Sequence, residues 1–311
     1  MRPGVERAIV FVSDHKRNTV VTAGSPRPSA NERFPVGSVT KSFTATIVLQ
    51  LVQEKKLRLN RTLGHYLPGV IRYGNVITIR ELLQHRSGLR NYTNNAFASA
   101  LSAPSTRPID VLRVVGSKPL DFEPDLQWEY SNTNYIALGL IIEKVTGHSY
   151  AYELASRILK PLELHATSLA KGLRPADAAI PFLTPNLAWA AGAIVSNAKD
   201  LTRFYSALLS GRLLSRPMLA EMEKTDPDGG PLYSGFTTVS NTYVGDGLGI
   251  FATDTPCGRF WGHSGGAGLW ITSVSANVQR ARTVIAAVLV RSSLSATAGD
   301  ADPRPLFCSP F

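Results

Sequence analysis

The stretch FPVGSVTKSF, residues 34–43, marks where a strand-like run gives way to the first strong helical pattern of the chain. Arg33 to Gly37 reads as extended. From Ser38 to about Glu54 the apolar residues Phe43, Ile47, Val48, Leu51 and Val52 recur at the three-to-four spacing of one helix face. Ser38 and Lys41 stand three apart at the start of that pattern, so they share a face and the amine can reach the hydroxyl. Unpaired N–H groups at a helix start favour negative charge developing on the serine oxygen. A desolvated lysine is neutral and acts as a base. The plainer alternative is that Ser38 only caps the helix, and a Ser-x-x-Lys pattern on its own does not outweigh it.

Working outward, Arg7 to Ser13 and Asn18 to Ala23 are β-branched runs flanking Asp14-His15-Lys16-Arg17, the pattern of a hairpin. Helical periodicity continues through Ile79 to Gln84, Ile109 to Val115, Thr133 to Val145, Tyr150 to Ile158 and Asp200 to Leu209. Gly147 stands as a C-cap after the third of these. Beyond Gly211 short β-rich runs return: Gly247 to Ala252, Arg259 to His263, Gly268 to Ala276 and Thr283 to Val290. Strands at both ends with helices between predict an α+β fold, an antiparallel sheet of about five strands from both termini flanked by helices, with an inserted all-helical lobe. The expected division is one catalytic domain over residues 1–311, with a sheet lobe of about residues 1–55 and 190–311 and a helical lobe of about 56–189. Stretches 171–186 and 226–246, rich in Pro, Gly and Asp, read as loops bordering a cleft.

With 311 residues, 44% hydrophobic and 18% charged, the chain suits a folded globular protein and excludes wholesale disorder. No apolar run approaches the roughly 20 residues of a membrane-spanning helix. The formal charge of +10 favours polyanions, an anionic cell-wall polymer among them, but the basic residues are scattered, without a stripe or interleaved aromatics. A nucleic-acid partner is not expected. The two cysteines, Cys257 and Cys308, are too few and too far apart for a zinc site, and no metal is expected. They are either two buried thiols or one bridge. The apolar run Ala8 to Val12 is too short for the core of a cleavable signal peptide.

Two further motifs follow in order. Tyr130-Ser131-Asn132 precedes a helix, where the bland reading is a core aromatic and a cap, and the functional one places a phenol and an amide in a cleft. His263-Ser264-Gly265-Gly266 follows a strand-like run, where the bland reading is a glycine turn. The functional one is a strand edge that pairs with an extended substrate, its glycines allowing close approach.

Ser-x-x-Lys, Tyr-x-Asn and His-Ser-Gly in this order resemble the signature of the serine β-lactamase and penicillin-binding family. The Tyr-x-Asn and His forms are most similar to secreted serine D-alanyl-D-alanine carboxypeptidases of the class C β-lactamase group. FPVGSVTKSF, HRSGLRNYT (85–93), YSNTNY (130–135), IIEKVTGHS (141–149) and AGAIVS (191–196) all resemble family segments, so the likeness covers nearly the whole chain.

The resemblance implies a β-lactamase/transpeptidase-like fold and the following roles. Ser38 is the nucleophile, and Lys41 and Tyr130 share proton transfer in a division left open. Asn132 holds the acyl-side amide of the substrate, and the backbone N–H groups of Ser38 and Gly266 form the oxyanion hole. His263 keeps the field around Tyr130 positive, Ser264 binds the substrate carboxylate, and Gly265 lines the substrate strand. The implied activity is D-alanyl-D-alanine carboxypeptidase, acting on small cell-wall peptides and acylated by β-lactams. A β-lactamase, an esterase or D-amino-acid amidase, and a non-catalytic penicillin sensor are the rivals. No cofactor is implied. The resemblance also implies a Cys257–Cys308 bridge near the chain end, hence an extracellular or periplasmic location; a monomer is expected.

Three departures from the pattern bear on this. Relatives place an arginine just after Gly-Leu-Gly to clamp a terminal carboxylate, whereas Gly247-Leu248-Gly249 is followed here by Ile250, Phe251, Ala252 and Thr253. The expected consequence is weak discrimination between free acids and their esters or amides, with Arg259 as the one substitute charge nearby. The customary N-terminal helix is missing, which suggests a shortened chain. The customary Pro-Gly before the second motif is Pro124-Asp125.

Overall fold

The alternation of Val5, Ile9 and Phe11 with less buried neighbours makes the first strand, β1 (Val5–Ser13), and Asp14 turns it back into β2 (Asn18–Gly24). In that turn Asp14 N donates to Arg17 O at 3.0 Å while Asp14 Oδ1 accepts from Arg17 N. The computed structural model describes residues 5–14, 17–101, 103, 105–170, 185–226, 243–279, 281–290 and 307–308. The expected loop 171–186 lies mostly outside these residues, as does most of 226–246.

Three short strands, β3 (Phe34–Pro35), β4 (Ser168–Leu169) and β5 (Ile194–Ser196), form a small antiparallel sheet in the order β3-β5-β4. The main sheet is antiparallel and takes its other strands from the C-terminal third: β6 (Tyr243–Asp246), β7 (Phe251–Thr255), β8 (Gly258–Ala267), β9 (Trp270–Asn277) and β10 (Arg282–Val290). Its order is β2-β1-β10-β9-β8-β7-β6, so β10 pairs with β1 in a ladder that includes Ile9 opposite Ala287 and Phe11 opposite Ile285. The class is the expected one, with seven strands in the sheet among the described residues rather than about five. The extra edge comes from β6, whose residues fall in a stretch read from sequence as loop. A second correction concerns 247–252: Gly247 to Ile250 is a turn, and the strand begins only at Phe251.

The helix α1 (Thr40–Gln53) packs among helices, Asn132–Thr146 and Pro185–Gly192 foremost, and Thr40 through Leu49 are all buried. One-sided periodicity therefore describes α1 incompletely. Its polar side is also dry, and its hydroxyls are satisfied there. Ser42 Oγ donates to Gly249 O at 2.8 Å, Thr44 Oγ1 to Ala190 O at 2.7 Å, and Thr46 Oγ1 to Ser42 O at 2.7 Å. Buried hydroxyls are tolerated because each has a partner.

Against α1, α2 (Asn132–Thr146) is buried along most of its length and ends at Gly147 in the left-handed conformation, as its sequence predicts. Tyr150–Leu154 is helical but continues as a π-turn over Ala155–Leu159. α3 (Ala198–Leu209) packs near β9 and β10, its first turn capped by Asn197, whose side chain accepts from Asp200 N. One connected apolar core extends from Ile9 and Phe11 through Phe43 and Ile47 to Leu112 and Ile141. Cys257 and Cys308 are joined by a disulfide, and Phe307 stacks on Phe260 at 4.5 Å beside it. Among the described residues no helix is long and apolar enough to cross a membrane.

Candidate active site

Ser38 lies in a single 3₁₀ turn, Gly37–Val39, that leads into α1. No side-chain capping bond is made at either helix start, so Ser38 is not an N-cap. Its hydroxyl instead meets Lys41, whose Nζ is 2.9 Å away. Lys41 is fully buried, and its other two partners are Asn132 Oδ1 at 2.7 Å and the Ala191 carbonyl at 2.8 Å.

These partners suit either form of the Lys41 amine, since an ammonium would donate to all three. Both the amide oxygen and the carbonyl can only accept, so each takes one N–H of the amine. A neutral amine then has its lone pair left for the Ser38 hydroxyl, which is the arrangement of a base ready to remove that proton. Burial acts in the same direction, pushing the Lys41 pKa well below its ordinary value against the opposing pull of the Asp246 carboxyl.

The second motif meets the first where sequence order placed them 91 positions apart. Asn132 opens α2 and points its amide at Lys41. The Tyr130 ring lies 4.9 Å from Lys41 Nζ and rests on His85, 4.3 Å between ring centroids. His85 is itself buried, with Nδ1 within 3.1 Å of the donor Ser131 N and 3.2 Å of Asn134 Nδ2. Burial, with a lesser push from Lys41, holds its pKa well below the usual histidine value. His85 thus acts as a neutral platform under Tyr130.

The third motif arrives on β8. A Cβ on Gly265 would fall 2.6 Å from Ser38 N and 2.1 Å from Val36 O, and one on Gly37 would fall 2.7 Å from Gly266 N. Only glycines let the β8 backbone lie against the nucleophile turn this closely. The backbone nitrogens of Ser38 and Gly266 are thereby brought to one place, as an oxyanion hole requires. Ser264 sits one step before Gly265, opposite Ser273 on β9.

His263 does not carry the positive charge expected of it. It is 3% exposed, stacks on Phe251 at 4.1 Å, and spends its Nδ1 on the Ser264 carbonyl. Its Nε2 is buried with no partner among the described residues. Burial first, then the Lys41 charge, lower its pKa to about 3, so at neutral pH the ring is uncharged.

Sequence reading missed Asp246, at the end of β6. It is fully buried, accepts from Trp128 Nε1 at 3.1 Å through Oδ2, and leaves Oδ1 without a partner among the described residues. Burial raises its pKa well above the usual carboxylate range, as burial lowers that of Lys41, so both groups are pushed toward their neutral forms. Its signal lay in a stretch that reads as loop. The Ala191 carbonyl and Asn91 were also overlooked, although both lie in segments that resemble the family.

A family model described as Beta-lactamase matches residues 2–306. The chain belongs to the beta-lactamase family. Within it, Penicillin-binding protein 4* of Bacillus subtilis (strain 168) is 35% identical over 139 residues, 44% of this chain. That match takes up 30% of the relative's own length, and this chain spans well under half of the curated relatives it matches. Among solved structures, a D-stereospecific amidohydrolase from Streptomyces sp. superposes with a TM-score of 0.81 at 33% identity, covering 92% of this chain and 90% of that one. The D-amino acid amidase of Ochrobactrum anthropi SV3, complexed with L-phenylalanine amide, shares the fold at a TM-score of 0.78 and 24% identity, over 92% of this chain and 86% of that one. The beta-lactamase-family fold thus applies to this chain.

Proposed function

We propose that this protein is a serine amidohydrolase that cleaves amides and esters of D-amino acids or short D-amino-acid peptides through an acyl-enzyme on Ser38. The observation that carries the proposal is the meeting of Lys41 Nζ and Ser38 Oγ at 2.9 Å, with Asn132 Oδ1 and the Ala191 carbonyl as the other partners of the amine, so that a neutral Lys41 turns its lone pair to the Ser38 hydroxyl. Lys41 takes the Ser38 proton as Oγ attacks the substrate carbonyl carbon. The resulting oxyanion is held by the N–H groups of Ser38 and Gly266. The tetrahedral adduct collapses by breaking the C–N or C–O bond, and the proton on Lys41 returns through the Tyr130 hydroxyl to the leaving amine or alcohol. Water then repeats the sequence in reverse on the Ser38 ester.

The lack of an arginine just after Gly247-Leu248-Gly249 favours an amide or ester over a D-alanyl-D-alanine carboxypeptidase substrate. Ile250 to Thr255 contains no arginine. Arg259 is committed elsewhere: its Nε and Nη2 both donate to the Asp254 carboxylate, at 2.7 and 2.9 Å. Arg259 also stands five residues before Ser264 on the same strand, a separation of roughly 17 Å. A bidentate clamp contributes about 2–3 kcal/mol, roughly a hundredfold. The test is kcat/KM for a D-alanyl-D-alanine peptide, its methyl ester and a D-amino acid amide. We expect the free acid to be no better than the ester or amide. A hundredfold preference for the free acid would restore the carboxypeptidase reading. Because disulfides persist in oxidising compartments, the Cys257–Cys308 bridge supports the further proposal that the protein works outside the cytoplasm.

A further inference from the structure

Asn91 lies outside the three motifs and touches neither Ser38 nor Lys41, yet one of its atoms collects four donors. Asn91 Oδ1 accepts from the Asn132 backbone N–H at 3.2 Å and from Asn132 Nδ2 at 3.3 Å. It also accepts from Thr93 Oγ1 at 3.0 Å and from Thr93 N at 3.4 Å. Asn91 is 4% exposed. A backbone N–H can only donate, so the Asn91 atom facing it must be the oxygen. That oxygen then requires the NH₂ end of the Asn132 amide to face it. The O end is left facing Lys41. Thr93 reinforces the choice: its hydroxyl gives its proton to Asn91 and its oxygen accepts from Asn132 Nδ2 at 3.4 Å.

We propose that Asn91 is a positioning residue for catalysis, fixing which way round the Asn132 amide sits and thereby directing the lone pair of Lys41 at Ser38. The chain of constraint is Asn91 to Asn132 to Lys41 to Ser38. With the Asn132 amide reversed, an NH₂ would face Nζ and draw the amine lone pair to itself, and an N–H would then point at Ser38. Such an amine cannot take the serine proton. An oxygen with four donors is what a carboxylate would supply equally well. Asparagine supplies it without an anion beside Lys41. That is consistent with a base that must stay neutral while it already faces the Asp246 carboxyl from β6, His263 from β8, His85 and Tyr130 from the segments before α2, and Tyr135 on α2 itself.

The inference rests on Lys41 as the base of the proposed reaction, and two variants separate the possibilities. The rate of Ser38 acylation by an activated ester is followed by mass shift across pH for the wild type, Asn91→Leu and Asn91→Asp, with thermal unfolding in parallel. In Asn91→Leu acylation should fall roughly a hundredfold at every pH, the loss expected when a general base is misdirected. In Asn91→Asp the plateau rate should stay near wild type while the acid limb moves to higher pH, because the new carboxylate holds a proton on Lys41. A merely structural role would lower stability and leave the pH profile in place. Wild-type kinetics in Asn91→Leu would overturn the proposal, as would a plateau in Asn91→Asp as low as in Asn91→Leu. If Asn91→Leu does not fold, Asn91→Asp decides alone, and an unmoved acid limb refutes the idea. A wild-type protein that is never acylated at Ser38 would instead refute the proposed function.

Discussion

Replacing His263 with glutamine should make the protein more tolerant of mild acid. In the native state Nδ1 is spent on the Ser264 carbonyl, and protonating Nε2 would bury a cation with no acceptor close to Lys41. The native ring therefore stays neutral down to about pH 3. In the unfolded chain the same ring titrates near 6.5. Between those values the unfolded state binds one more proton than the native state, so stability falls as pH falls from about 6.5 toward 3. At pH 7 the effect is a few tenths of a kcal/mol or less, and at pH 5 it reaches about 2 kcal/mol. The figure at pH 5 depends on the unfolded value alone, since the native ring is neutral there whether it titrates at 2 or at 4. For a chain of this length about 2 kcal/mol corresponds to roughly 3 °C in Tm. Glutamine carries no charge at any of these pH values. Thermal unfolding at pH 7 and pH 5 should thus show the wild type losing about 3 °C more than His263→Gln. Parallel losses would refute the argument, and a wild type that loses less would show that His263 is charged in the native state.

Lys41→Ala should lower Ser38 acylation by roughly 10²–10⁴-fold while leaving reversible inhibition by a non-acylating substrate analogue near wild type; equal losses in both would make Lys41 a structural residue. Opening the Cys257–Cys308 bridge in Cys308→Ser releases a link spanning 51 residues and should cost about 4 kcal/mol, or about 6 °C in Tm. Acylation of Ser38 should survive, because Cys257 precedes β8 while Gly265 and Gly266 lie at its other end. Unchanged Tm under reducing and oxidising conditions would contradict the stabilising role.

The main sheet and the order of its helices were legible because alternation and helical periodicity are local patterns, and α1, α2 and α3 are long enough to show them. What the sequence hid was long-range. β6 follows a Pro- and Gly-rich stretch and has few residues, so only its pairing with β7 makes it a strand. The proposed nucleophile and its partners were recognisable as motifs, whereas Ala191 O and Asn91 Oδ1 enter the site through backbone placement and amide orientation, which no spacing reveals. Asp125 shows a departure resolved by its neighbours. It occupies the position where glycine is customary, with φ 67, and its strained backbone is held by Arg86. Arg86 Nε donates to Asp125 Oδ1 at 2.8 Å and Asp125 N donates to Arg86 O at 2.8 Å. The same guanidinium pairs with Asp226, which bridges to Asp246, so the residue replacing glycine is tied to the strand that carries the buried acid.

The charge state of the site connects these observations to substrate choice. Lys41, His85 and His263 are all driven to their uncharged forms, and Asp246 is driven to its protonated one. A site built this way presents almost no net charge to an arriving ligand. It has little to offer a terminal carboxylate beyond the Ser264 hydroxyl, and a buried carboxylate without a cation is costly. A neutral amide or ester incurs no such cost. In the proposed reaction charge appears only when the proton of Ser38 makes Lys41 an ammonium and the carbonyl becomes an oxyanion. Asn132 Oδ1 and the Ala191 carbonyl already accept from Lys41 Nζ, and the proposed oxyanion hole offers two backbone N–H groups. The interactions are therefore stronger in the transition state than with bound substrate, which is the condition under which binding groups accelerate a reaction.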